Sequence, residues 1–220
     1  MTKTRQNIID SAIKLFNEKG IVNVRLQTIA NDVGISIGNL AYHFYSKKAI
    51  VIEIDSQLGE KLSPLLNKQN QIQYFIDFDN HLANYYYLLS AYSFYFLDIL
   101  ELQRAYPIIY SKRRKYMLKM IKRIHKWILI NKSMGKLKKE VFEDQYLNTS
   151  KNIWLSITFW MTKEQVLNET RSEEAFKARL WTHVIPMFTK KGFMEYEAMI
   201  LPNLIYKGEV QKSNTLYNYN

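Results

Sequence analysis

The sequence predicts an all-α protein: an N-terminal three-helix unit carrying a helix-turn-helix, followed by a larger helical bundle, with about nine helices in total. Three observations predict it. Apolar residues recur at intervals of three and four along nearly the whole chain, which gathers them on one face of a helix. Residues that stop or cap helices punctuate that pattern, at Gly20, Gly34, Ser36, Ser46, Gly135, Ser172 and Gly192. No segment alternates apolar and polar residues long enough to read as a strand, and no internal repeat is found.

Residues 4–19 read as the first helix, with Ile8, Ile9, Ala12, Ile13, Leu15 and Phe16 at helical spacing and Gly20 ending it. Val22 and Val24 lead into a short second helix on which Ile29, Ala30 and Val33 share a face. Gly34 stands one position beyond, where a residue without a Cβ enters the left-handed region at no steric cost. Ser36 then caps the third helix, its hydroxyl accepting from a first-turn amide. Leu40 and Phe44 turn inward and complete a small core with Ile8, Ala12, Phe16, Ile29 and Val33. Ile37, Asn39, Tyr42 and His43 are left outside, and Gly38 removes bulk from the first turn. That outer face suits a helix pressed into the major groove of DNA, where the second helix of a helix-turn-helix lies. Taken alone, the pattern fits an ordinary helical hairpin equally well.

Ser46 can cap a fourth helix from Lys47, whose Ile50, Ile54 and Leu58 run as a stripe toward Pro64. The expected organisation is therefore a DNA-binding unit at 1–46, a connecting helix at 47–66 and a second domain at 67–210, opening with the polar gap Asn67 to Gln71. Ile72 to Gln103 contains no Gly or Pro and is aromatic almost all round, which predicts one long, buried, central helix. Pro107 can open the next, from Ile108 to Lys132, with Met134 and Gly135 closing it. Glu140 to Asn168 follows, apolar at Ile153, Trp154, Ile157, Trp160 and Met161. Ser172 and two acids start a helix that runs to Lys191, kinked at Pro186 and stopped by Gly192. A last short helix covers Phe193 to Ile200, and residues 211–220 read as a flexible tail.

Composition bounds the function. With 47% hydrophobic residues the chain can bury a core, and its zero cysteines exclude disulfides, thiol catalysis and cysteine-ligated metal. No apolar run approaches the ~20 residues of a membrane span, and the first residues do not read as a signal peptide, so a cytoplasmic protein is expected. A net charge of +11 favours polyanionic partners, yet up to Glu60 the cations Lys3, Arg5, Lys14, Lys19, Arg25, Lys47 and Lys48 nearly balance six acids. The surplus concentrates between Arg104 and Lys139, a stretch without acids, whose cations fall opposite an apolar stripe of Met117, Leu118, Ile121, Ile124 and Ile128. A solvated helix face is the simpler reading of it; a membrane or polyanion surface, and a seat for the phosphates of an acyl-CoA-type effector, are the others. His81, His125 and His183 lack partners at ligand spacing, and no nucleophile, base and oxyanion donors assemble, so neither a metal, a cofactor nor an enzyme is expected.

Thr28-Ile-Ala, Gly34-Ile-Ser36, Gly38-Asn-Leu40, Tyr42-His-Phe44 and Ser46-Lys47, at these spacings, resemble the DNA-binding domain of the tetracycline-repressor (TetR) family over about residues 5 to 55. Two positions depart from the family pattern: Arg25 replaces a capping Thr, and Ala41 replaces a phosphate-contacting Tyr. The resemblance implies operator contacts by Arg25, Gln27, Ser36, Ile37, Asn39, Tyr42, His43 and Lys47. Asn39 suits a base edge, Ile37 a thymine methyl, Tyr42, His43 and Arg25 phosphates, and Lys47 a phosphate at a helix N-terminus. The segment from Phe94 to Met117 resembles the second domain of one subgroup of the family. By that likeness the second domain holds an effector cavity, with Tyr85, Tyr92, Phe96, Trp127, Trp154 and Trp160 as candidate walls, and the last two long helices build a homodimer. The implied function is a ligand-released transcriptional repressor. The alternative is a helical module that binds membranes or polyanions through its basic helix.

Overall fold

The computed structural model describes residues 2–67 and 74–205. Over these the chain is helical, with twelve α-helices and one 3₁₀ turn, more than the nine expected from sequence, because one long helix is cut into three and a further short helix follows the last one expected. The predicted polar gap and the predicted tail lie outside the described residues, apart from Asn67.

The first three helices are α1 (Lys3–Lys19), α2 (Leu26–Val33) and α3 (Ile37–His43). Gly34 adopts φ 75°, ψ 33°, the left-handed geometry that turns α2 into α3. Helix α4 (Lys47–Asn67) follows, and Ser46 Oγ accepts from the Ala49 amide at 3.2 Å. One apolar core joins these four helices through Ile8, Phe16, Ile29, Leu40, Phe44 and Ile54, and extends to Tyr92, Phe94 and Tyr95 from later in the chain.

The single helix expected over Ile72 to Gln103 is instead three: α5 (Phe75–Ala91), α6 (Ser93–Leu97) and α7 (Ile99–Ala105). The breaks fall at Tyr92 (φ −121°, ψ 41°) and Asp98 (φ −95°, ψ 29°), neither of which is a helix breaker by type. A break frees backbone groups that need partners, and at the first break α1 supplies them. Asn17 Oδ1 accepts from the Phe94 amide and from the Ser93 hydroxyl, each at 3.0 Å, while its Nδ2 donates to the Ala91 carbonyl at 3.0 Å. At the second break, the Asp98 carboxylate accepts from the Ile21 amide at 2.9 Å.

Helix α8 (Pro107–Ser133) starts on its proline as expected, and α9 (Gln145–Val166) begins five residues later than predicted, at a left-handed Asp144 (φ 60°). The helix expected from Ser172 to Lys191 ends early: α10 (Glu173–Thr182) is followed by a 3₁₀ turn at Ile185–Met187, and a new helix, α11 (Lys190–Met199), starts before Gly192 rather than after it. The cause is a short antiparallel pairing with residues 136–138. Lys138 N–H donates to the Met187 carbonyl at 2.8 Å and Thr189 N–H to the Lys136 carbonyl at 3.0 Å, which holds this backbone extended. Gly192 permits it, since a Cβ there would lie 2.2 Å from the Lys136 oxygen. Helix α12 (Leu201–Ile205) closes the described chain. A second core lies among α5, α8, α9, α10 and α11, built on stacked Phe78 and Trp127 (4.0 Å between ring centres) and on Trp181.

Candidate nucleic-acid interface and interior cavities

Ser36 caps α3 by accepting from the Asn39 amide at 3.1 Å, so the first turn is fixed and the Asn39 side chain projects outward. Arg5 secures the other end. Its guanidinium lies 4.0 Å from the centre of the Phe44 ring, donates to the His43 carbonyl at 2.8 Å and pairs with Glu53 at 2.8 Å, joining α1, α3 and α4. Fully buried Leu40 seats the helix. The exposed surface then carries Arg25, Gln27, Ser36, Ile37, Asn39 and Tyr42, with His43 partly exposed. Tyr42 is 86% exposed and packs edge-on against His43. Such an exposed tyrosine beside a helix contributes little to folding, and it is free to meet a phosphate.

Two candidates are already engaged within the protein. Gln27 donates to the Asn31 side chain at 2.8 Å, and Lys47 turns toward the Val22 carbonyl at 3.4 Å, where burial lowers its pKa. Arg25 begins α2 without any side-chain cap, in keeping with its departure from the usual Thr. Sequence reasoning passed over Tyr45, 82% exposed between α3 and α4, and the exposed Lys48. Tyr45 directly follows Phe44, the inward residue that caps the end of α3, which is the signal that could have marked it. Pairing also weakens the local field of the unit: Lys14 meets Asp32 at 2.9 Å, and this hydrogen bond raises the lysine pKa and lowers that of the carboxyl.

The candidate effector walls fall into separate places. Tyr85 and Trp127 line a cavity of about 30 Å³ between α5 and α8, together with His81, Met120, Arg123 and Ile157. Phe96 and Trp154 line a second, of about 60 Å³, beneath α4, where Met120 and Ile157 also form part of the wall. Tyr92 lies in the N-terminal core instead, its hydroxyl accepting from Lys61 at 2.9 Å. Trp160 packs between Tyr86 and Phe176, apart from both cavities. The polar groups Asp55, Tyr95, Arg113 and Arg123 were not anticipated as cavity residues. Tyr95 donates to Asp55, and the Arg113 guanidinium covers its ring at 3.7 Å; burial raises the tyrosine pKa strongly.

The basic stretch is partly folded back on the protein. Lys112 reaches Asp55 at 3.6 Å, Lys132 reaches Glu140 at 3.6 Å, and buried Lys136 pairs with Glu195 at 2.7 Å. Lys115, Lys122 and Lys126 face water along one side of α8. Among the described residues no cluster of His, Asp and Glu is suited to a metal ion, and no helix is long and apolar enough to cross a membrane.

Comparison with known proteins places this geometry. The profile for bacterial regulatory proteins of the tetR family matches residues 8–54, and a second profile, described as a bacterial transcriptional repressor, matches residues 56–202. The negative transcriptional regulator IcaR of the biofilm operon icaADBC in Staphylococcus aureus (strain Newman) is 33% identical over 107 residues, 48% of this chain and 51% of IcaR. The chain thus spans about half the length of that relative. The transcriptional regulator AcrR of Shigella flexneri is 36% identical over 62 residues, 26% of this chain and 29% of AcrR. Among solved structures, a TetR-family transcriptional regulator from Marinobacter aquaeolei VT8 superposes with a TM-score of 0.81 at 26% identity, covering 90% of this chain and 98% of that one.

Proposed function

The chain belongs to the tetR family of bacterial regulatory proteins, and on that premise we propose that it is a transcriptional repressor that grips double-stranded operator DNA with α3 and releases it when a small apolar or amphipathic effector enters the second domain. The observation that carries the reading is the outer face of α3. Ile37, Asn39 and Tyr42 are exposed together on a helix fixed at one end by Ser36 and at the other by Arg5. Phosphate contacts position such a helix and base-edge contacts specify its site.

Two copies are needed to read two half-sites one helical turn of DNA apart, or a multiple of it. On α9 the exposed apolar residues Leu155, Phe159 and Val166 share one face, which suits a two-fold contact with the same helix of a second copy. Release requires the effector to bind two arrangements of the dimer unequally. Asn17 and Asp98 supply the link, because Asn17 fastens α1 to the first break in the α5–α7 run and Asp98 ties the second break to Ile21, just beyond α1.

The test is a mobility-shift and footprint assay with the DNA upstream of the chain's own gene. A specific complex is expected whose affinity falls steeply with salt, and which is lost in the Asn39→Ala, Tyr42→Ala double variant. No specific complex, or binding to heparin and anionic vesicles that the double variant leaves intact, would instead favour a polyanion-binding module working through Lys115, Lys122 and Lys126.

A further inference from the structure

We propose that the effector is an amphipathic organic anion whose head group is held by Tyr85, Trp127 and Arg123, and that Arg123 carries its arrival to α4. This rests on the repressor reading above and names the chemistry of its ligand.

Tyr85 and Trp127 are 2% and 3% exposed, line the same cavity, and their hydroxyl and indole nitrogen have no hydrogen-bond partner among the described residues. Leaving buried polar groups unpaired is costly, so such sites commonly await a ligand or water. Arg123 lies on the same wall and is buried too. An indole N–H and a guanidinium can only donate, and the tyrosine hydroxyl can donate as well, so the ligand must bring acceptors. The guanidinium makes a negative head group the best match. None of the residues on this wall is acidic, so a cationic head would find no counter-charge there and would face the charges of Arg123 and Lys126. The charge of Arg123 is close enough to Tyr85 to oppose the rise that burial imposes on the tyrosine pKa.

The tail has a route. Met120 and Ile157 belong to both cavities, and the second is walled by Leu58, Leu62, Leu89 and Phe96. At about 30 and 60 Å³ the two are far below the ~300–1,000 Å³ of most ligand pockets, so a ligand has to displace the side chain between them. Met120 is that side chain, and an unbranched thioether moves most easily.

The coupling follows from another contact of Arg123. Its Nη1 donates to the Leu65 carbonyl, in the last turn of α4, where helix carbonyls have no partner within the helix. A carboxylate competes for that guanidinium with a stronger, charge-assisted bond than a neutral carbonyl can offer. Drawing Arg123 away uncaps the end of α4, the helix whose first turn adjoins the DNA reader.

The test uses the full chain with three probes of one length, dodecanoate, 1-dodecanol and dodecylamine, below their micellar concentrations. Calorimetry should show dodecanoate binding about tenfold or more tighter than the alcohol, with the amine weakest. Dodecanoate should also release operator DNA and speed hydrogen exchange at the amides of residues 61–63, 65 and 66. Arg123→Gln should bind acid and alcohol alike, lose the exchange response to dodecanoate and, lacking the bond to the Leu65 carbonyl throughout, hold the operator more weakly than the natural chain before any effector is added. Where Arg123→Gln fails to fold, Tyr85→Phe carries the test and should weaken dodecanoate severalfold while leaving the alcohol unchanged. Equal binding of acid and alcohol by the natural chain, preference for the amine, binding of none, or an acid preference that survives Arg123→Gln would each overturn the proposal. With the operator complex intact, those outcomes leave the repressor reading standing; an absent operator complex defeats that reading instead.

Discussion

The two cores of this protein are built on opposite rules. Around α1–α4, Ile8, Ile9, Ala12, Phe16, Ile29 and Leu40 are sealed at 0% exposure, and its buried Ser11 is satisfied by Asp32 at 2.7 Å. The second core takes in Asp79, Arg123, Asn131, Glu164 and Lys177, and leaves polar atoms of Tyr85, Trp127 and Trp160 unpartnered among the described residues. A core whose few buried polar groups are paired, Ser11 with Asp32 and Asp55 with Tyr95, has one good packing and holds one shape, as a DNA reader requires. A core rich in buried polar groups can change partners, and each group without one is a reason to change.

The largest test of that contrast is Asp79→Ala. Asp79 pairs with Lys177 at 2.8 Å and accepts from the Trp181 indole at 2.9 Å, both nearly inaccessible to water. Burial works against the charge on Lys177, yet Asp79 and Glu173 outweigh it and raise its pKa. Removing the carboxylate leaves the buried Lys177 ammonium with Glu173 alone, at 3.1 Å, and the Trp181 indole without its acceptor, and should cost about 3 kcal/mol in urea unfolding. The double variant Asn39→Ala, Tyr42→Ala, on the exposed reader surface, should stay within about 0.5 kcal/mol per substitution of the natural chain. A cost for Asp79→Ala below about 1 kcal/mol would break the comparison.

Next in size is Asn17→Ala, at the joint between the two cores. Three hydrogen bonds at the α5–α6 break would be lost, leaving the Phe94 amide unpaired, for an expected loss of about 1–3 kcal/mol. Operator binding without effector should survive at reduced stability, while the effector concentration needed for release should rise. Unchanged release would show that the joint only braces the fold.

That joint also marks the limit of what the sequence displays. The first four helices are legible because their punctuation is local: Gly34, Ser36 and Ser46 act within a few residues of themselves. The breaks at Tyr92 and Asp98 are written more than seventy residues away, in Asn17 and Ile21, and no periodicity within the aromatic stretch reveals them. Gly192 misleads in a related way, serving close approach to Lys136 rather than ending a helix. At the DNA-binding face, exposure follows from helical spacing, so the α3 residues could be named; Lys47 turns inward only because Val22 and Phe16 lie beside it. Arg123 is indistinguishable in sequence from its solvated basic neighbours, and only the third dimension sets it against Tyr85 and Leu65.

The smallest effect, and the finest test of the polar core, concerns Glu164. Its carboxylate is 2% exposed, with one oxygen 3.7 Å from Arg179 and the other unpartnered among the described residues. Burial raises its pKa, and Arg179 and Lys163 only partly oppose the rise. A carboxyl with a folded-state pKa above its unfolded value binds more protons when folded, so stability falls as pH climbs from the usual glutamate range, about 4.3, through the raised value. Glu164→Gln removes that titration. The difference in urea midpoint between variant and natural chain should move in the variant's favour as pH rises through this window, then level off once the natural carboxyl is fully ionised. If the difference stays flat, Arg179 satisfies the charge in full, and Glu164 belongs with the settled ion pairs such as Lys136 and Glu195 rather than with the unpaired groups that keep this core able to rearrange.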